Sequence, residues 1–425
     1  MSTTEVPADS AQMVDALGAT QPGPTQPGLS PAVQSAATPS RRLASLDALR
    51  GFDMFWIIGV DDLVPRLSRY SWAQSNSSWG RALHLVAAQF DHVAWQGLHF
   101  EDLIFPLFVF IVGVSLVFSL TRTISLHSRS SAVGRILFRS AVLFLLGIIH
   151  NGGFDQPIHM FPGMSDAHRA IRWFGVLQRI AIAYGISGML FCYLRPRWLL
   201  VSIVVILVGY WAALTYIPVP GVGTHAYAPG RNLTNWFDIR FLGGWKWENN
   251  PYDPEGYLSN IPAVATCLLG VFAGLLLQKP TLNPYLKVTI LLLGGAALAA
   301  IGYAWGFRPS PVQFPVIKKI WTSSYVLLAG GYSAIILGVF YLVIDVWKIS
   351  RWSLPFIWIG ANAITIYMLS ECGYINDFAT RLVGGGRHVI PMFGDAQEAI
   401  TMTTTVLLTF GIARFLYVRK VFIRV

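Results

Sequence analysis

Apolar stretches close to the ~20 residues needed to cross a ~30 Å hydrocarbon core recur from about residue 45 to the end of the chain. Each reads as a helix, because a bilayer core holds no water to satisfy backbone amides. Ten helices are predicted, at roughly 45–64, 101–121, 132–150, 174–194, 197–216, 257–277, 284–305, 320–345, 353–372 and 397–418. The expected fold is all-α, a polytopic membrane protein of about ten transmembrane helices. The first helix fits least well, since Asp47, Arg50 and Asp53 occupy its opening turns. Residues 1–40 are rich in Pro, Ser, Thr, Gln, Ala and Gly, a composition that cannot offset its own ordering entropy, so they read as a disordered tail before a membrane domain spanning 41–425. The longest polar interval, 217–256, is expected to be an outer loop.

Composition agrees. Of 425 residues 54% are hydrophobic and only 12% charged, against about a quarter charged in soluble domains. The charges are also sorted by side. With ten crossings, the short even-numbered loops and both tails hold Arg122, Arg129, Arg135, Arg139, Arg195, Arg197, Lys279, Lys287, Arg351 and Arg419 among others, whereas the longer odd-numbered loops hold most of the acids. The positive-inside rule then places both termini in the cytoplasm. A formal charge of +10 is explained by such loops beside anionic lipid, so no nucleic-acid partner is expected. Met1 to Asp15 contains no Lys or Arg and lacks the basic start of a cleavable signal peptide; the first apolar run is expected to serve as an uncleaved anchor. The three cysteines, Cys192, Cys267 and Cys372, fall inside apolar runs without ligand spacing, so neither a metal nor a disulfide framework is expected. No inverted repeat stands out, which weighs against a secondary transporter.

Chemistry concentrates in Asp91-His92-Val93-Ala94-Trp95-Gln96-Gly97-Leu98-His99-Phe100-Glu101-Asp102, at the outer mouth of the second helix. A histidine can take a proton from an amine or hydroxyl or carry an acyl group, and a carboxylate such as Asp102 can fix its tautomer. The bland alternative is a solvated helix start, where an aspartate suits the dipole. Ionisable side chains within apolar spans are expensive and therefore functional candidates. Arg179 lies at a depth where it could meet Asp102 or Asp61, as catalyst's neighbour or structural ion pair. Arg50, a candidate substrate or cofactor contact, shares one helix face with Asp47 and Asp53, which fits a fold-holding cluster better than a catalytic one. Gln178 and Asn362 could orient substrate or simply bond between helices. Trp95 and the outer tryptophans Trp236, Trp245 and Trp247 could stack on sugar rings or form an interfacial belt; the 217–256 loop is too long for a belt alone and could close over an acceptor.

The order Ser45-Leu46-Asp47-Ala48-Leu49-Arg50-Gly51, His92-Val93-Ala94-Trp95-Gln96-Gly97-Leu98 and Asp102-Leu103-Ile104-Phe105-Pro106 resembles the heparan-alpha-glucosaminide N-acetyltransferase family and its bacterial relatives. Gly175-Val176-Leu177-Gln178-Arg179, Tyr252-Asp253-Pro254-Glu255-Gly256, Trp321-Thr322-Ser323-Ser324-Tyr325 and Gly360-Ala361-Asn362 follow in the same order, so the resemblance runs from about residue 43 to the end. It implies transfer of an acetyl group from cytoplasmic acetyl-CoA to an amino sugar across the membrane, in this case a bacterial inner membrane, with His92 at the reaction centre. A second family active-site residue is an asparagine whose position here is Asp61, an anion that can accept but not donate a hydrogen bond. The donor phosphates call for cations, and Arg122, Arg129, Arg135 and Arg139 are candidates beside their plainer role in setting topology. The rival expectations are an O-acyltransferase of an envelope glycan and a sugar permease without covalent chemistry. A homodimer is left open.

Overall fold

The computed structural model describes residues 43–60, 78–153, 171–247, 250–384 and 396–423, all within one compact unit, Arg42–Val425. The helices are α1 (Ala44–Phe55), α2 (Ser78–Ala88), α3 (Glu101–Leu126), α4 (Arg129–His150), α5 (Val176–Tyr193), α6 (Pro196–Tyr216), α7 (Leu233–Phe241), α8 (Asn260–Gln278), α9 (Pro284–Phe307), α10 (Ser323–Phe340), α11 (Leu354–Ala361), α12 (Ala363–Glu371), α13 (Tyr374–Gly384) and α14 (Ala396–Val418). The chain is an all-helical membrane protein. Among the described residues eight helices are long and apolar enough to cross a bilayer, or nine if Arg351–Ala361 and Ala363–Glu371 form one broken span. The remaining expected crossing begins at α1, continues through a π-helical turn, Trp56–Val60, and runs into residues outside the described set.

Three expectations are refined. The span anticipated at 353–372 is bent by 71° at Asn362, whose Nδ2 donates to Val421 O (3.1 Å) while its Oδ1 accepts from Ile423 N (3.0 Å). The side chain thus ties the chain's end to the break, where an unbroken helix would keep its own ladder. The 217–256 loop contains α7, capped by Asn232, which accepts from Asn235 N at 2.9 Å. Two further short helices, α2 and α13, lie between spans.

Lipid gives helices little hydrophobic reason to associate, so close backbone approach matters more. Helices α3 and α8 meet through reciprocal glycines: a Cβ on Gly113 would collide with Cys267 O, and one on Gly270 with Phe110 O. Gly51 and Gly360 do the same for α1 and α11, against Phe356 O and Asp47 O. Beside that crossing Arg50 donates to Ser115 Oγ (2.6 Å) and Gly360 O (3.4 Å) and pairs with Asp47 at 3.6 Å. Because the obstacle at Gly270 is backbone, Gly270→Val is expected to cost at least the ~1–3 kcal/mol typical of overpacking, visible as loss of monodisperse protein on size exclusion. Gly411→Ala, with nothing within 4 Å, should behave as wild type; equal behaviour of the two variants would refute the tight crossing.

Candidate active site

A cavity of about 850 Å³ lies where the first turn of α3, the π-helical turn after α1, Trp247 with residues 250–255, and a short turn, Lys318–Ile320, converge. His92 stands on its wall with its side chain 61% exposed, while Asp102 beneath is only 2% exposed. Asp102 is heavily partnered. Its Oδ1 lies 3.2 Å from His92 Nδ1, and its Oδ2 accepts from Val93 N (3.3 Å) and His99 N (3.1 Å). Lys318 Nζ is 3.2 Å from both Asp102 Oδ1 and His92 Nδ1. An ammonium has only donors, so Lys318 donates to Asp102; in the Nδ1–H tautomer His92 donates to Asp102 as well. That leaves the lone pair on His92 Nε2 free to accept a proton.

Lys318 reaches this point because the chain turns sharply behind it. Trp321 follows the turn in a left-handed conformation (φ 52°), unusual for so bulky a residue. It is held there by burial on all sides: Nε1 donates to Thr266 Oγ1 (3.1 Å), and the ring meets Phe105 at 5.1 Å and Tyr325 at 5.2 Å between centroids. Tyr325 in turn donates to Asp102 O at 2.7 Å. Arg179 caps the indole face at 4.5 Å.

The facing wall is an ion-pair network. Arg172 grips Asp253 with two bonds of 2.8 Å and Glu255 Oε2 with one of 2.7 Å. Its guanidinium also lies 5.1 Å from the Trp247 ring and 5.8 Å from Trp245. Burial disfavours the Arg172 charge, but the two carboxylates outweigh it and raise its pKa. Burial pushes the Glu255 carboxyl up, against the pull of Arg172.

The model of the catalytic family "Heparan-alpha-glucosaminide N-acetyltransferase" matches residues 42–304, more than half of the chain. The chain belongs to this family. The human heparan-alpha-glucosaminide N-acetyltransferase is 30% identical over 338 residues, covering 66% of this chain and 48% of that protein. The mouse protein is 29% identical over the same length, covering 66% and 49%. The chain therefore spans about half the length of the curated relatives it matches.

The family match includes His92, Asp102, Arg179 and the Arg172–Asp253–Glu255 network, but not Lys318 or Trp321. Of the residues singled out from sequence, the cavity brings together His92, Asp102 and Arg179. Arg179 does not pair with Asp102; its donors go to Asn260 Oδ1 (3.3 Å), Pro254 O (2.6 Å) and Ser259 Oγ, since Asp102 is already occupied. Gln178 is buried off the cavity with its amide facing Gly147 and Gly175. Asn362 and Arg50 are engaged at the helix junctions described above and do not line the cavity. Trp95 donates to Tyr227 O at 2.8 Å and buttresses Tyr252, which does line it. Asp61 lies outside the described residues. Sequence reasoning missed Lys318, Arg172 and Glu255 as site residues. A usable signal existed for Lys318: Lys318-Lys319 is a basic pair in a loop on the acid-rich side.

Beneath the network Asp238 is fully buried; its Oδ1 accepts from Tyr257 N at 3.0 Å and its Oδ2 has no partner among the described residues. Burial pushes this carboxyl up from 3.8 to about 7. The folded protein thus holds this proton more tightly than the unfolded chain, so the contribution to stability is full below about pH 4 and declines as pH rises toward 7. The thermal midpoint is expected to fall between about pH 4 and 7, with Asp238→Asn flattening that fall. An unchanged slope in the variant would exclude this origin.

Proposed function

We propose that this chain is an acetyltransferase that moves an acetyl group from acetyl-CoA to the amine of a glucosamine-type sugar. The observation that carries the reading is the His92–Asp102 pair, Nδ1 to Oδ1 at 3.2 Å, exposed to a cavity of about 850 Å³. The names of the two relatives, both N-acetyltransferases, support the reaction class.

Asp102 holds the His92 tautomer, so Nε2 removes a proton from the acceptor amine as its nitrogen attacks the thioester carbonyl carbon. A C–N bond forms, the C–S bond breaks, and the proton on Nε2 passes to the departing CoA thiolate. Lys318 balances the charge on Asp102 at 3.2 Å and so supports the pair. The basic loops are read as cytoplasmic, which brings acetyl-CoA from inside and the acceptor from the opposite face of a bacterial inner membrane.

The test is acetyl-CoA consumption by purified protein against a panel of amino sugars, with the product examined by mass spectrometry. An alkali-stable amide is expected. An alkali-labile ester on a hydroxyl would move the protein to O-acylation, and uptake of unmodified sugar by vesicles lacking CoA would defeat the enzyme reading.

A further inference from the structure

We infer that Glu255, Arg172 and Trp247 form the subsite that grips the sugar ring of the acceptor. The inference rests on the acetyltransferase reading and goes beyond it by locating one substrate on one wall. All three residues line the same cavity as His92. Glu255 is held by one strong contact, Oε2 to Arg172 Nη2 at 2.7 Å, and its side chain keeps 13% of its surface exposed on the cavity wall. Arg172 is itself immobilised by the two 2.8 Å bonds to Asp253, so Glu255 is presented in a fixed orientation.

Beside it stands an aromatic shelf. Trp247 is anchored through its backbone, N to Asp253 Oδ2 at 3.2 Å. Arg172 lies 5.1 Å from the Trp247 ring, yet the residue keeps 46% of its surface exposed. A half-exposed indole next to a preorganised carboxyl group suits a pyranose: apolar C–H groups pack on the ring, and hydroxyls hydrogen-bond to the carboxyl. Two guanidiniums, Arg172 and Arg179, face the two acids Asp253 and Glu255, so this wall lacks the excess positive charge that a phosphate-bearing donor calls for. Elsewhere on the cavity lining, Ser370 Oγ and His150 Nδ1 are buried without hydrogen-bond partners among the described residues. Buried polar atoms are normally satisfied, and a polyhydroxylated ligand would satisfy these.

The experiment separates KM values on the full-length protein. Glu255→Gln and Trp247→Ala are each expected to raise the KM for glucosamine about tenfold or more while moving that for acetyl-CoA less than about twofold, and Trp247→Phe should recover part of the loss. Saturation-transfer NMR with glucosamine alone, without CoA, gives a second readout: the signal seen with wild type should disappear in Glu255→Gln. An unchanged glucosamine KM and NMR signal in both variants, or a rise confined to acetyl-CoA, would overturn the subsite. Should wild type acetylate no amino sugar, the acetyltransferase reading fails, and the NMR comparison still decides whether this wall holds the sugar.

Discussion

His92→Ala is expected to lower acetyl transfer to glucosamine by roughly a thousandfold, within the ~10²–10⁴ that a positioned general base contributes. On the proposed mechanism the variant removes the nitrogen that accepts the amine proton and leaves the surroundings intact. Asp102 keeps Lys318 at 3.2 Å and the amides of Val93 and His99 at 3.3 and 3.1 Å, so no buried charge is stranded and the fold should survive. The fall should appear in kcat, with the KM for acetyl-CoA little changed, because the proposed role of His92 is in the proton transfer and not in donor binding. Initial rates beside a size-exclusion profile check both halves. A folded variant retaining more than about a tenth of the wild-type rate would remove His92 from the chemistry. Asp102→Asn should fall between the two, since an amide can still fill the space but can fix the wrong tautomer.

The second large effect is on stability. Arg172→Met leaves Asp253 and Glu255 buried beside one another without their shared cation, a change that costs about 3–5 kcal/mol when one partner of a buried pair is removed. Thermal unfolding in detergent should shift down sharply or the protein should fail to accumulate. Arg172→Lys should rescue poorly, because three bonds of 2.7–2.8 Å to two carboxylates need the planar fork of a guanidinium. Adding Glu255→Gln to Arg172→Met should recover part of the loss by removing one stranded charge. A midpoint for Arg172→Met within a degree of wild type would show that the network contributes little.

What could be read from the chain alone was set by how local each interaction is. His92 and Asp102 are 10 residues apart, on one short approach to one helix, so their pairing was visible in the pattern of residues. Lys318 is 226 residues from His92, and its arrival depends on the left-handed turn at Trp321, which no periodicity signals. The Arg172–Asp253 pair bridges 81 residues and joins segments that read separately as polar outer loop. Apolar length located the spans because bilayer thickness imposes it directly. Length could not reveal the break at Asn362, where hydrogen bonds to Val421 and Ile423 replace helix continuity. Arg179 was recognisable as a costly intramembrane charge, but its partners were not. It is held by Pro254, Ser259 and Asn260, which lie just before and at the start of α8, rather than by an acid.

The most direct measurement uses proteoliposomes of uniform orientation, with acetyl-CoA confined to the side of the basic loops and labelled glucosamine to the side of His92. N-acetylglucosamine should accumulate on the glucosamine side with wild-type protein and remain absent with His92→Ala. Product formed only when both substrates share a compartment, or equal product from the two proteins, would contradict transfer across the membrane at this imidazole.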